Sequence, residues 1–411
     1  MDTKKKYDVV VFGATSFVGK ILVEYLATKY GNDTGFTWAI AGRSAKKLEE
    51  LKQSLGAAAT GLPSIIADSS DETSLKNLCA SARVIVSTVG PYALYGEALV
   101  KICAQTGTHY CDLTGEVQWI RQMIQRYEST AKASGAKIVH CCGFDSIPSD
   151  MGVYFLQKNA QEKFGKPCTH VSMRVKSMKG EFSGGTVASL LNVVKEAAAD
   201  PALRKELANP FSLCGDPNPF RARQNNVNGA QFDRNFDTWI APFVMAAINT
   251  RIVHRSNLLG KSHYGKNFTY DEAMITGKGV KGTLGSIAIS AVMGSFMVAA
   301  AIKPSRWFLE KFVVPKPGEG PSKTSQEHGF YDLRFMGLTE HNEVIRAKVT
   351  GDRDPGYGST AKMLGEAALC LALDVSAKTS GGFWTPSTIF KDKLLVRLEK
   401  NAGLTFELKN E

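Results

Sequence analysis

The first 140 residues alternate between short apolar runs and stretches with helical periodicity. Residues 8–12 form a Val-rich run without polar alternation, the pattern of a strand covered on both faces. Gly13 ends it, and Phe17, Val18, Ile21, Leu22, Tyr25 and Leu26 then recur at helical spacing. The same succession continues along the chain. Strands are predicted at 36–41, 64–67, 83–89, 109–112 and 137–140, and helices at 45–55, 73–81, 96–106 and 117–134. Six strands alternating with helices predict an α/β fold built on a doubly wound parallel sheet, with the first domain at 1–143.

Beyond Gly143 the alternation loosens. Residues 171–177 alternate like a half-buried strand, Gly184-Gly185-Thr186 leads into a helix at 187–199, and 200–228, rich in Pro, Asn and Arg, reads as a long surface loop. Later strands are predicted at 330–335 and 341–350, and an Ala- and Leu-rich helix at 359–373. The pattern is that of a mixed α+β second domain over 144–411, with the 359–373 helix expected to pack back on the first. The segment 282–302 is uncharged and includes Leu284, Ile287, Ile289, Val292, Met293, Phe296, Met297 and Val298. Lys278 and Lys281 precede it; Lys303, Arg306 and Trp307 follow. It is long enough for a bilayer. Its Gly, Ala and Ser content makes insertion marginal, and a span would place the C-terminal part of the chain across the membrane. An element lying on a membrane or lipid surface and a buried or dimer-interface helix are both preferred to a true span.

With 411 residues, 44% hydrophobic and 22% charged, the chain has the composition of a globular protein and the length for two cores. A net charge of +11 suits a phosphorylated cofactor or anionic lipid. No arginine-rich run or nucleic-acid motif is present, so no nucleic-acid partner is expected. The eight cysteines form no CxxC pair, which argues against a disulfide framework and a thiolate zinc site. No His/Asp/Glu spacing suggests a metal. The charged start runs directly into the first strand, and a cytoplasmic location is expected.

Candidate chemistry concentrates at the strand ends. Gly13-x-x-Ser16-x-x-Gly19 is a variant of the glycine-rich dinucleotide fingerprint. Gly13 permits the sharp turn and Gly19 close helix packing. The backbone of Ala14, Thr15, Ser16, Phe17 and Val18 presents N–H groups to a pyrophosphate, and the Ser16 hydroxyl is a further donor. Where an NAD-preferring fold has an acidic residue after strand two, this chain has Arg43, with Lys46 and Lys47 behind it, which predicts NADP(H) in preference to NAD(H). Asp68 is placed to reach the adenine, and Thr88, Val89, Gly90 and Pro91 are expected along the cofactor. Hydride transfer also needs a proton source; the candidates are Tyr92, Tyr95, Asp145 and Ser146. Tyr92 could instead wall the pocket and Asp145 could cap the helix beginning near Ser149. His140 is expected to be a hydrogen-bonded core residue. Tyr154-x-x-x-Lys158 matches the short-chain dehydrogenase pair in spacing, but Cys141 and Cys142 stand where that pair needs a serine, so Tyr154 is expected in the core.

The stretches VVVFGATSFVGK, AGRSAKKL, VSTVGPYALYGEALV, YCDLTGE, HCCGFDSIPSD, FSGGTVAS and DPGYGSTAKMLGEA together resemble the saccharopine dehydrogenase-like oxidoreductase family over nearly the whole chain. Mycobacterial trans-acting enoyl reductases of glycolipid synthesis and an animal member associated with lipid droplets are similar in layout. The resemblance implies a Rossmann domain, an inserted α+β domain and NAD(P)-linked redox chemistry, and strengthens the lipid-surface reading of 282–302. The glutamate-forming saccharopine reductases are more distant. Their GxDPG-type and GG turns are only echoed, at 143–148 and 184–185, and no set of basic residues for a polycarboxylate substrate is found. The expected function is NADP(H)-dependent reduction of a lipid-like enoyl or carbonyl compound, by a homodimer that meets a membrane or lipid-droplet surface through 282–302. The alternative is a non-catalytic NADP(H)-binding scaffold or sensor at such a surface.

Overall fold

The computed structural model describes residues 5–31, 35–180, 184–309, 311 and 320–409, with the backbone alone at 184–187. The chain forms two compact units, and neither is continuous. The first takes Met1–Asp145, Gly318–Gly320 and Gly356–Gly403; the second takes Ser146–Pro317, Pro321–Pro355 and Leu404–Glu411. A single boundary near Gly143 therefore does not describe the molecule: a C-terminal segment of nearly fifty residues belongs to the first unit.

In the first unit, β1 (Tyr7–Phe12), β2 (Trp38–Gly42), β3 (Ser64–Ile66), β4 (Ala82–Ser87), β5 (His109–Asp112) and β6 (Lys137–Val139) alternate with α1 (Phe17–Tyr30), α2 (Ala45–Leu55), α3 (Glu72–Ser81), α4 (Tyr92–Tyr95), α5 (Glu97–Thr106) and α6 (Val117–Ser134). Among the described residues the sheet is wholly parallel, in the order β3-β2-β1-β4-β5-β6 followed by a seventh strand, Gly382–Trp384. Val9, Val10 and Val11 are fully buried, as a central strand sandwiched by helices requires. The seventh strand has three residues and arrives from far down the chain, so hydropathy does not mark it. The helix predicted at 359–373 is α-helical over Gly358–Leu369 and then widens into a single turn at Cys370–Asp374. It lies on α1: a Cβ at Gly365 would sit 3.1 Å from Leu22 and 3.3 Å from Tyr25. Next to that contact the fully buried Glu366 accepts from the Tyr25 hydroxyl at 2.7 Å, the Tyr30 hydroxyl at 2.5 Å, and Arg397 and Asn401 at 3.2 Å each.

The second unit is organised on β7 (His170–Lys179), following α7 (Ile147–Phe164), α8 (Gly184–Ala199) and α9 (Pro201–Ala208) flank the connection to β8 (Gln231–Asp233) and β9 (Thr238–Pro242); α10 (Ala246–Leu259), β10 (Thr269–Gly277), α11 (Gly279–Ala301), β11 (Phe330–Leu338) and β12 (Val344–Gly351) complete it, with a last strand Leu404–Lys409. The sheet is mixed. β10 runs parallel to β7, while β11, β12, β9, β8 and the last strand pair antiparallel. The 200–228 segment is not all loop: Asp200 caps α9 by accepting from Ala202 N–H at 2.8 Å, and Phe211, Cys214 and Phe220 form a small buried cluster. The strand predicted at 341–350 begins at Val344, after a turn in which Asn342 takes φ +64. Nothing in the hydropathy pattern marks α10, because it buries Asn249, Thr250, Arg251, His254, Arg255 and Asn257.

Glu366→Ala should lower unfolding stability by about 3 kcal/mol, since it removes the buried acceptor shared by two half-buried phenols, Arg397 and Asn401. Glu366→Gln, which keeps one acceptor, should cost less; denaturant midpoints of the two variants check this.

Candidate active site

Strand order reverses between β1 and β4, so the crevice beyond their carboxyl ends is the switch point of the sheet. Gly13 turns the chain there with φ +84. A side chain at Gly13 would come within 2.7 Å of the Val89 methyl and 2.8 Å of Thr88 Oγ1. A Cβ at Gly19 would lie 2.2 Å from the Gly13 carbonyl oxygen. Ser16 caps α1, accepting from Gly19 N–H at 2.9 Å, and its hydroxyl also meets Thr88 Oγ1 at 2.9 Å. The hydroxyl is therefore occupied within the turn rather than held out as a free donor. Gly13 and Ala14 N–H bond Ala41 O, and Ser16 N–H bonds Gly13 O. The N–H groups of Thr15, Phe17 and Val18 have no partner among the described residues, and Gly13 and Gly19 have no room for side chains. That is a cradle for an anion at the start of a 14-residue helix. The Phe17 ring itself packs edge-on against Tyr357, centroids 4.9 Å apart.

At the ends of β2 and β3, Arg43 is exposed and lies close enough to Asp68 to lower its carboxyl pKa, after the larger effect of hydrogen bonds from Ser70. Asp68 Oδ1 accepts from Ser70 N–H at 2.9 Å and Ser70 Oγ at 2.8 Å, so the carboxylate closes a local turn. Lys46, on the first turn of α2, is 3.9 Å from Glu50, both largely exposed.

After β4, Thr88 Oγ1 donates to Gly13 O at 2.9 Å, and the Gly90–Pro91 peptide is cis. Tyr92 is buried; its hydroxyl donates to Ser87 O at 2.9 Å, and burial with the nearby Asp112 charge raises its pKa. The Tyr92 proton is thus committed to the backbone. Tyr95 is 49% exposed. The carboxylate of Glu116, a residue absent from the sequence-based candidates, accepts from the N–H groups of Tyr92 and Ala93 at 2.9 Å each and so fixes the start of α4. Its signal was a lone acid closing the apolar strand-five turn. Below, His140 Nδ1 meets Asp112 Oδ2 at 2.7 Å in a fully buried pair, ringed by Tyr110, Trp119 and Phe383.

Asp145 and Ser146 are consecutive but differ in character. Asp145 does not cap a helix, because α7 starts at Ile147 with Ser146 at its N-cap position. The Asp145 carboxyl lies against Gly115, where a Cβ would be 3.2 Å from Oδ2, and has no hydrogen-bond partner among the described residues. Desolvation pushes its pKa up to about 7. Ser146 takes φ +93, is fully buried, and donates to Asn249 Oδ1 at 3.0 Å. Asn249 in turn donates to Glu272, which also accepts from Tyr270 at 2.7 Å. Ser146 is bound into this interior network and has no proton to spare. Tyr154 and Lys158 lie on α7 of the second unit. The FSGGTVAS motif begins outside the described residues, and the echoed Gly184-Gly185 pair opens α8 rather than forming a turn before it.

A parallel sheet in this order, with a tight glycine turn and open amides at its switch point, is the architecture of the dinucleotide-binding domain of NAD(P)-dependent oxidoreductases. Residues 9–139 match the saccharopine dehydrogenase NADP-binding domain. A Mycobacterium bovis trans-acting enoyl reductase is 37% identical over 413 residues, covering 96% of each chain. A Mycobacterium ulcerans protein of the same name is 36% identical over 409 residues, again covering 96% of each. A Mycobacterium tuberculosis relative, provisionally given that name, reaches 40% over 415 residues and 98% of each. The chain belongs to the saccharopine dehydrogenase-like oxidoreductase family. Its fold is also that of apo saccharopine dehydrogenase (L-Glu forming) from Saccharomyces cerevisiae, at TM-score 0.52 and 14% identity over 98% of this chain and 99% of that one.

An aspartate whose folded pKa lies above its unfolded value of about 4 destabilises the folded state increasingly as pH rises through that interval, up to its folded pKa. Asp145→Asn should therefore gain stability over wild type at pH 8 relative to pH 5. Urea midpoints at the two pH values test the sign, and the wild-type carboxyl resonance should titrate near 7.

Proposed function

We propose that the protein is an NADP(H)-dependent reductase of a lipid-like enoyl or carbonyl compound. The observation that carries the redox reading is the switch-point cradle, with Gly13 at φ +84 and the open N–H groups of Thr15, Phe17 and Val18. The backbone of 13–19 would hold the pyrophosphate, with Ala14 and Ser16 shaping the turn. Arg43 would grip the 2′-phosphate and Lys46 add diffuse positive charge. Asp68 is better assigned as the acceptor that closes the Ser70 turn than as an adenine contact. Thr88, Val89, Gly90 and Pro91 would line the nicotinamide half. The enoyl alternative draws support from the name the mycobacterial relatives carry.

When bound, NADPH supplies the hydride; the protein supplies position, dryness and a proton. Asp145 is the favoured donor. It sits at the carboxyl end of the sheet, near-neutral in pKa, with no competing hydrogen bond. Its carboxyl gives up the proton, becomes carboxylate, and recovers a proton from water before the next turnover. Tyr95 is the second candidate, because its phenol is open to solvent. Tyr92 and Ser146 are withdrawn as donors because their protons are held by Ser87 and Asn249.

Arg43→Ala should weaken NADPH binding about 10- to 100-fold and NADH binding little, the loss of one or two charge-assisted hydrogen bonds; equal loss for both overturns the 2′-phosphate assignment. Asp145→Asn should cut enoyl-thioester-dependent NADPH oxidation roughly 100-fold with NADPH affinity unchanged. Wild-type kcat/KM should fall as pH rises through about 7. NADPH binding without turnover on any acyl thioester would instead favour the non-catalytic scaffold.

A further inference from the structure

Helix α11 wears its hydrophobic side outward. The inner side of its first turns is small or polar, while farther along Phe296 packs inward: a Cβ at Gly282 would lie 2.2 Å from the Gly277 carbonyl, and the buried Ser286 hydroxyl donates to Ile240 O at 2.5 Å. Thr276 Oγ1 donates to Gly282 O at 2.8 Å, so the first turns of the helix are pinned to β9 and β10. Near its other end Ala300 packs with Leu191 and Val194 of α8. On the outer side Val280, Leu284, Ile287, Val292, Val298 and Ile302 are 51–76% exposed. Trp307 and Phe308, 56% and 53% exposed, extend the patch into the next helix, Lys303–Phe308. A globular protein in water places such residues the other way round, and a contiguous apolar face of this kind marks a contact surface.

Three features select its occupant. The helix is only 11% buried over its apolar window, so it is not a core helix. It does not span a bilayer either. The strand before it, β10, and the strand after it, β11, both pair with β7, so the chain leaves and rejoins the same sheet on either side of α11. Finally, 273–309 contains no Asp or Glu, while Lys278, Lys281, Lys303 and Arg306 bracket the apolar face. Lys278 pairs with Asp237, whereas Lys281 and Lys303 are exposed. Two copies meeting through this face would bring like charges together; an anionic surface would not.

We propose that α11 lies in the interface of an anionic bilayer, parallel to its plane, with Leu284, Ile287, Val292 and Val298 among the acyl chains and Lys281 and Lys303 at the headgroups. This goes beyond the redox chemistry and does not rest on it. The full-length protein should float with phosphatidylcholine vesicles containing phosphatidylserine and much less with phosphatidylcholine alone, and added salt should weaken binding. Leu284→Glu combined with Val292→Glu should reduce the bound fraction roughly tenfold, with an unchanged circular-dichroism melt because both side chains face outward. Lys281→Glu with Lys303→Glu should abolish the phosphatidylserine dependence. The proposal fails if wild type ignores both kinds of vesicle, or if the glutamate pair floats like wild type. It fails equally if sedimentation shows a dimer that the glutamate pair splits into monomers while neither form binds vesicles.

Discussion

The chain's reversal at Gly13 is the constraint on which the first unit depends. β1 is buried on both faces and must end where α1 begins, directly beside β4. Only a residue without a side chain fits there, because φ is positive and Val89 and Thr88 already fill the space a Cβ needs. Thr88 then ties the β4 loop to the turn through Gly13 O and Ser16 Oγ. The two halves of the switch point are thereby one hydrogen-bonded piece, and the amides left over are those an anion can use.

Buried carboxylates show how this unit separates architecture from chemistry. Glu366 is surrounded by four donors and holds a distant segment of the chain against α1. Glu116 spends both oxygens on the N–H groups that open α4, and Asp112 is shared between His140 and backbone N–H groups. Asp145 differs from all three in having no donor among the described residues, and desolvation pushes its pKa up to about 7.

The second unit satisfies its interior differently. A parallel β7–β10 pair lies within an otherwise antiparallel sheet, and polar side chains of α10 form an internal network through Asn249 and Glu272. Glu272, like Asp145, is raised to about 7 by burial, but three hydrogen-bonding neighbours, Ser149, Tyr270 and Asn249, offset part of that shift. Its role is to hold Ser146 and the start of α7 through Asn249. The family likeness spans both units, whereas the likeness to the yeast enzyme extends to the fold alone.

The sequence by itself determined the parallel sheet, because strands buried on both faces must be continuous apolar runs, and the 45–55, 109–112 and 117–134 elements fall where periodicity puts them. It also determined the glycine turn, the Arg43 substitution and the apolar segment, all of which are local facts. Tertiary structure alone decided the rest. The Gly382–Trp384 strand is too short to carry a pattern, and α10 hides its periodicity because it is buried all round, polar residues included. Only the fold shows that Ser87 O accepts the Tyr92 proton and that Ser146, not Asp145, stands at the N-cap position of α7. Whether a helix is core or surface depends on which face its neighbours cover, and hydropathy counts residues without knowing that face: α11 has the composition of a buried helix and the exposure of an external one.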